Sequence, residues 1–167
     1  YRPPEWRLQK YEAKYHPMLK EFLEYLFPVQ VERDLVFTFL KTAIISRVSQ
    51  QMLMLGKKGI GKTVFADHIL SPLVGEKYFE KASKGFFKSQ FQNILENSRI
   101  IFFDEIPGKS DEAKKDLKRL ANHTQAMEKK GKDVIKIEAY YSVIAAGNNL
   151  DDVLVESPII RLYKYII

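Results

Sequence analysis

The chain has 167 residues, of which 46% are hydrophobic and 13% aromatic, enough for a folded domain and too many for a disordered chain. It contains no cysteine, which excludes disulfide bonds and cysteine-based zinc sites. Its formal charge of +6 favours an acidic partner such as nucleic acid. No apolar run is long enough to cross a membrane and no signal peptide is recognisable, so we expect no membrane partner and a cytoplasmic location. Because the sequence begins at Tyr1, we expect an excised piece of a longer protein.

Residues 1–50 are expected to form a small N-terminal helical subdomain or collar, and residues 51–167 a larger core. After His16, Pro17 suits the first position of a helix, which should end at Pro28. A second helix is predicted from Val31 to Val48. The side chains expected on the buried faces of these two helices are Met18, Leu19, Phe22, Leu23, Leu26, Leu35, Phe39, Leu40, Ala43 and Ile44.

The most informative stretch is Gly56-Lys57-Lys58-Gly59-Ile60-Gly61-Lys62-Thr63, which has the pattern G-x-x-x-x-G-K-T of a phosphate-binding loop. A glycine-rich turn can match this pattern by accident. Here a strand-like run, Met52–Leu55, precedes it and helical spacing follows, the context in which the pattern binds nucleotides. Glycines let backbone N–H groups approach phosphate oxygens, and the following helix adds its positive end.

The residues of this loop have distinct expected roles. We expect ATP to be bound by Gly56, Lys57, Lys58, Gly59, Ile60, Gly61, Lys62, Thr63 and Val64. The Lys62 ammonium can reach the β- and γ-phosphates, where it assists catalysis, and the Thr63 hydroxyl can bind Mg²⁺.

Beyond the loop, the sequence alternates between helical and strand-like segments. Ser71-Pro72 is expected to end the loop helix, and Tyr78–Ala82 to form a short strand. Helical spacing is found again in residues 87–95 and 113–121. Three aromatic residues near the first of these segments could stack on bases, although core packing explains their spacing better: Phe86, Phe87 and Phe91.

Asp104 and Glu105 follow the apolar run Arg99–Phe103, which is typical of a strand buried on both faces of a parallel sheet. Ligands bind at the carboxyl ends of such strands. We expect Asp104 to hold Mg²⁺ and Glu105 to orient and deprotonate the attacking water. The alternative is a solvated acidic turn. The phosphate loop earlier in the same domain favours the metal-binding role over this alternative.

The last third of the chain carries a basic turn, an amide-ended strand and a final strand. Lys129–Asp133 is predicted to be a turn between short extended arms. Tyr140–Ala146 is strand-like and leads to Asn148, which could contact the γ-phosphate or the attacking water, or could simply form a turn. Ile159–Ile167 should be another strand. The alternation predicts a doubly wound α/β fold with a mainly parallel sheet, preceded by the helical subdomain.

The order of phosphate loop, strand with Asp-Glu, basic turn and strand with Asn resembles superfamily 3 helicases, especially the helicase regions of phage and viral primase–helicases. The resemblance implies an AAA+-like core with a mainly parallel sheet. It also implies a hexameric ring that hydrolyses ATP at subunit interfaces, acts on single-stranded DNA and works with a fused or associated primase or polymerase. It also implies that Asn148 takes part in catalysis and that Lys129, Lys130 and Lys132 bind DNA. Arg161 falls where the family places an arginine finger, although an internal salt bridge is an equal alternative.

Two other functions are compatible with these motifs. The ring could act as an ATP-dependent clamp or loader for a primase or polymerase without strong unwinding. The chain could also be an AAA+ initiator or a viral NTPase directed at RNA. Stimulation of ATP hydrolysis by single-stranded DNA favours the motor, and tight nucleotide binding without turnover favours the clamp.

Overall fold

The computed structural model describes residues 16–46, 48–82, 97–104, 124–127, 135–138, 140–148 and 162–166. The helical elements are α1 (Pro17–Leu26), α2 (Gln30–Ile45) and α3, which comprises an α-helical turn (Lys62–Phe65), a π-helical turn (Ala66–Leu70) and a second α-helical turn (Ser71–Val74). A short 3₁₀ turn (Glu76–Tyr78) follows α3. The strands are β1 (Gln51–Leu55), β2 (Phe79–Ala82), β3 (Ile100–Phe103), β4 (Thr124–Met127), β5 (Ile135–Glu138), β6 (Ser142–Gly147) and β7 (Leu162–Ile166).

Helices α1 and α2 lie close to their predicted positions. Pro17 occupies the first turn of α1, and Phe27 leaves the helical conformation directly before Pro28, as expected of a residue that precedes proline. Helix α2 ends at Ile45 and not at the predicted Val48, because Ser46 is already extended as the chain turns toward β1.

The buried faces of these helices differ from the prediction at three positions. Met18 is 71% exposed and Leu19 is also exposed, because burial of α1 begins one turn later, at Leu23 and Leu26. On α2, Leu35 is exposed and Val36 is buried in its place. Val36 continues the helical spacing of the face that carries three other buried side chains, Phe39, Leu40 and Ala43.

The core of the fold is a five-stranded sheet with the order β2-β3-β6-β1-β7, in which all the strand pairings are parallel. Every residue of β3 and β6 is buried, which explains why both segments are continuous apolar runs without alternation. The predicted fold class, an AAA+-like α/β core with a mainly parallel sheet preceded by helices, is confirmed. The strands expected from the apolar runs at 52–55, 78–82, 99–103, 140–146 and 159–167 are all present within a few residues.

Strands β4 and β5 form a separate antiparallel pair in which Met127 lies opposite Ile135. These are the short extended arms predicted on either side of the lysine-rich turn. The predicted turn, Lys129–Asp133, lies outside the described residues, as do the predicted helical segments 87–95 and 113–121 with Phe86.

Helix α3 does not end at Ser71-Pro72 as predicted, but continues to Val74. A proline inside a helix lacks an N–H and its ring clashes with the carbonyl group four residues earlier. Here a π-helical turn, Ala66–Leu70, lies immediately ahead of the proline. The wider turn explains how the helix passes through Pro72, and π-helical turns of this kind often occur at functional sites.

One hydrophobic core joins helices α1 and α2 to the sheet and to α3. The rings of Phe27 and Phe65, for example, meet edge to face with centroids 5.5 Å apart. The division into residues 1–50 and 51–167 stays a prediction. Among the helices in the described ranges, none has the length and apolar composition that crossing a bilayer would require.

Candidate functional site

The glycine-rich loop connects the end of β1 to the start of α3. Its first residue, Gly56, donates its backbone N–H to the carbonyl oxygen of Gly147 at the end of β6, with a distance of 3.1 Å. Gly59 and Gly61 have φ angles of +85° and +100°, a conformation that strains any residue with a Cβ atom. Two of the glycines in the motif are therefore required by the backbone of the loop itself.

Lys62 begins α3, and its side chain is only 8% exposed. Its ammonium group donates to the carbonyl oxygens of Gly56 and Lys57, at 2.6 and 3.0 Å, and to Asn148 Oδ1 at 3.4 Å. Burial lowers the pKa of this ammonium from its ordinary value of 10.5, and the negative charge of Asp104 opposes part of that shift. The amino group is thus held against the loop, where a phosphate chain is expected.

Thr63 and Asp104 are 41 residues apart in sequence and meet in the structure. The Thr63 hydroxyl donates to Asp104 Oδ1 at 2.8 Å. Thr63 belongs to the first turn of α3, and Asp104 directly follows β3. A hydroxyl and a carboxylate at this distance supply the oxygen ligands that Mg²⁺ prefers, so the donor set fits the metal expected from the sequence. In the described residues no group of three or more His, Asp or Glu side chains could hold a metal alone.

The strand order explains why these side chains come together. Strand β6 lies between β1 and β3, so the residues that follow these three parallel strands share one edge of the sheet. The loop with Lys62 follows β1, Asn148 follows β6 and Asp104 follows β3. This is the edge at which α/β sheets bind ligands.

A cavity of about 710 Å³ opens above this edge. Its volume lies in the range typical of small-molecule sites. Gly56, Lys57 and Ile60, which were also expected to bind ATP, are not among the residues that line it. The lining residues are Lys58, Gly59, Gly61, Lys62, Thr63, Val64, Lys81, Ala82, Asp104 and Asn148.

Two charged residues near the cavity were not recognised from the sequence. Lys81, near the end of β2, donates to Asp67 Oδ2 at 2.8 Å and to Asp67 Oδ1 at 3.1 Å. Its ammonium also lies 3.7 Å from Asp104 Oδ2. Two signals in the sequence were available: Asp67 is four residues after Thr63 and so on the same helix face, and Lys81 lies near the carboxyl end of a predicted strand.

The other predicted site residues fall outside the described residues, and their roles stay predictions. They are Glu105, Lys129, Lys130, Lys132 and Arg161.

Comparison with solved structures finds the fold of this chain in the NrS-1 C-terminal region and in JCV helicase. The apo structure of the NrS-1 C-terminal region matches with a TM-score of 0.74 and 20% identity over 95% of this chain and 40% of that chain. A second apo structure of that region matches with a TM-score of 0.74 and 18% identity over 97% of this chain and 41% of that one. A structure of JCV helicase with a bound acetamide compound matches with a TM-score of 0.51 and 15% identity over 77% of this chain and 38% of that chain.

The chain thus spans well under half of the length of these solved chains. No curated protein sequence matches it. A family model described as "Family of unknown function (DUF5906)" matches residues 54–158, which is more than half of the chain. The chain therefore belongs to the DUF5906 family.

Proposed function

We propose that this chain is the ATP-hydrolysing core of a DNA helicase or translocase of the superfamily 3 type. The observation that carries the proposal is the 2.8 Å contact between Thr63 and Asp104 beside the buried ammonium of Lys62. A phosphate loop without an acidic partner would be a weak signal. A loop whose threonine hydroxyl meets a strand-end carboxylate has the ligands for a metal-bound nucleoside triphosphate.

In this proposal the nucleotide phosphates bind at the loop. The left-handed glycines Gly59 and Gly61 let the backbone approach the phosphate oxygens, and the first turn of α3 contributes its free N–H groups. The Lys62 ammonium already lies against the loop, bonded to the carbonyl oxygens of Gly56 and Lys57, and it neutralises the β- and γ-phosphates. Lys58 lines the same cavity and adds positive charge.

Magnesium, when bound, neutralises the charge that develops on the phosphates during transfer. Thr63 would hold it through its hydroxyl and Asp104 through its carboxylate. Asn148 contacts the Lys62 ammonium and orients it toward the terminal phosphate. Glu105, directly after Asp104, is proposed to orient the attacking water and accept its proton.

A complete active site requires a neighbouring subunit. Arg161 is proposed to reach the γ-phosphate of the adjacent protomer, because a guanidinium flanked by apolar residues needs an anionic partner. ATP is then hydrolysed only at the interfaces of an assembled ring, which we expect to be hexameric. Hydrolysis becomes dependent on protein concentration.

Single-stranded DNA is the proposed polymer substrate. The antiparallel pair β4 and β5 flanks residues 128–134, which carry Lys129, Lys130 and Lys132. Lysines at one turn can follow a phosphate backbone without reading its sequence. The formal charge of +6 is compatible with this contact.

The fold shared with the NrS-1 C-terminal region and JCV helicase supports a helicase-like function. We further propose that the chain acts in phage or viral DNA replication, in the cytoplasm of the host cell and together with a fused or associated primase or polymerase. The alternatives are a clamp or loader with little unwinding activity, and an NTPase directed at RNA. Each predicts a different response to added nucleic acid.

The test is the rate of ATP hydrolysis as a function of protein concentration, with and without single-stranded DNA or RNA. A motor of this type should be stimulated by DNA and should gain specific activity as the chain assembles. Lys62→Ala, which removes a phosphate contact, is the inactive control. Nucleotide binding without turnover in any condition would favour the clamp, and stimulation by RNA alone would favour the RNA-directed enzyme.

A further inference from the structure

Lys81 is a charged side chain in the site that neither the glycine loop nor the Asp-Glu pair explains. It belongs to β2, the edge strand of the sheet, where it lies in register with Phe102. Asp104 follows β3 two residues beyond Phe102. Because β2 and β3 run parallel, Lys81 is carried to the same edge of the sheet as Asp104.

Within the described part of the chain, the contacts of Lys81 use only part of its hydrogen-bonding capacity. An ammonium group has three N–H donors. Two hydrogen bonds go to the oxygens of Asp67, at 2.8 and 3.1 Å. The 3.7 Å approach to Asp104 Oδ2 is an ion pair, beyond hydrogen-bond distance. One donor can therefore serve an anion in the cavity that Lys81 lines.

Lys81 lies on the far side of Asp104 from the phosphate loop. Asp104 accepts from Thr63 with Oδ1 and faces Lys81 with Oδ2. A phosphate chain bound at the loop, with its metal held by Thr63 and Asp104, would approach Lys81 with its far end. The group it would offer to Lys81 is its terminal phosphate.

Structural stabilisation is a weak explanation for this lysine. The side chains of Lys81 and Asp67 are 37% and 41% exposed, and ion pairs at such positions contribute little to stability. The described cavity lining carries three lysines, Lys58, Lys62 and Lys81, against one carboxylate, Asp104. This excess of positive charge favours binding of an anion.

We propose that Lys81 binds the terminal phosphate of a nucleoside triphosphate and makes the site prefer the triphosphate to the diphosphate, with Asp67 holding the ammonium in position. The inference rests on the proposed nucleotide-binding function. It adds a residue from the edge strand that recognises the third phosphate.

The experiment compares the dissociation constants of Mg·AMP-PNP and Mg·ADP for the full chain and its variants by isothermal titration calorimetry. Lys81→Met should weaken AMP-PNP binding about tenfold, as expected for one charge-assisted contact, and leave ADP binding within about twofold of the unmodified chain. Lys81→Arg keeps the charge and should retain most of the preference.

Lys77→Met is the matched control, because Lys77 is an exposed lysine four residues earlier that does not line the cavity. It should bind both nucleotides like the unmodified chain. Melting temperatures of all variants should agree closely, since the Lys81–Asp67 pair is exposed.

Equal losses for the two nucleotides in Lys81→Met, or no loss for either, would overturn the proposal. A large fall in its melting temperature with a matching loss of ADP binding would also overturn it and assign Lys81 to the fold. If the unmodified chain binds neither nucleotide, the proposed function itself fails, which is a different result from an unchanged preference in Lys81→Met.

Discussion

The ring of Phe22 in α1 lies directly against Gly61 of the glycine-rich loop. A Cβ atom built on Gly61 would be 3.1 Å from Phe22 Cε2 and 3.4 Å from Cζ. Gly61 is therefore required twice, once by its φ angle of +100° and once by the neighbouring ring. The contact also means that the N-terminal helix borders the proposed nucleotide site.

Gly61→Ala should destabilise the chain more than Gly59→Ala. Both alanines are strained by a left-handed φ, which costs about 1–2 kcal/mol, but only the alanine at position 61 meets Phe22. The additional contact should add about 1 kcal/mol to the cost. Urea unfolding of the two variants measures the difference.

A double-mutant cycle with Phe22→Leu identifies the source of that difference. If the ring is responsible, Gly61→Ala should cost less in the Phe22→Leu background than in the unmodified chain. Equal costs in both backgrounds would show that Phe22 is not the cause.

The stability of the chain should depend on Lys62 at alkaline pH. Burial lowers the pKa of Lys62 in the folded state below its ordinary value of 10.5. Between these two pKa values the unfolded chain binds more protons than the folded chain, so the free energy of unfolding rises with pH in that window. Relative to Lys62→Met, the unmodified chain should gain stability as pH rises through the range just below 10.5. Denaturant titrations at several pH values measure the free energy of unfolding of both proteins. If this free energy changes with pH in the same way in both, the expectation is contradicted.

Asp104→Asn should weaken metal-dependent nucleotide binding without unfolding the chain. The amide oxygen of asparagine can still accept the hydrogen bond from the Thr63 hydroxyl, while the negative charge that attracts the metal is lost. Nucleotide binding should then require about 10- to 100-fold more Mg²⁺. The measurement is nucleotide affinity as a function of Mg²⁺ concentration. The control is Asp34→Asn, at an exposed position on α2, and a matching response in both variants would remove Asp104 from the metal site.

Removal of the charges at Lys129, Lys130 and Lys132 should weaken binding of single-stranded DNA regardless of its sequence. Each lost phosphate contact should reduce the slope of log affinity against log salt by about 0.7. Fluorescence anisotropy at several salt concentrations measures both quantities. The matched control removes three exposed lysines elsewhere, Lys20, Lys41 and Lys77. An equal effect of both triple variants would indicate general electrostatic attraction and exclude a specific contact.

Arg161→Ala and Glu105→Gln should each be inactive alone and regain activity when mixed. If Arg161 acts on the neighbouring subunit, some interfaces in mixed rings pair an intact arginine with an intact glutamate. Each variant alone should lose about 10³-fold or more in hydrolysis rate. The measurement is the ATPase rate of the mixture at concentrations where rings assemble. No gain on mixing, together with a lower melting temperature for Arg161→Ala, would instead identify a structural salt bridge.

The parts of the site that can be predicted from the sequence are those marked by a pattern of consecutive residues. The loop from Gly56 to Thr63 and the strand before Asp104 both carry local patterns, and parallel pairing brings their ends together. Lys81 was missed because its importance depends on the pairing of β2 with β3, which no local pattern reports. The exposed Met18 was misjudged for a related reason, since helical spacing identifies a face but not where along the helix that face meets the core.

The position of β1 has a consequence for how the chain reaches its folded state. This strand pairs with β6 and β7, whose first residues are Ser142 and Leu162, so its partners lie about a hundred residues further along the chain. Contacts between such distant segments form slowly, because the entropy cost of closing a long loop must be met before the contacts can stabilise the fold. During synthesis, the segment that carries the glycine loop must wait until β6 has left the ribosome before it can join the sheet. The proposed nucleotide site can therefore assemble only after both β1 and β6 have been synthesised.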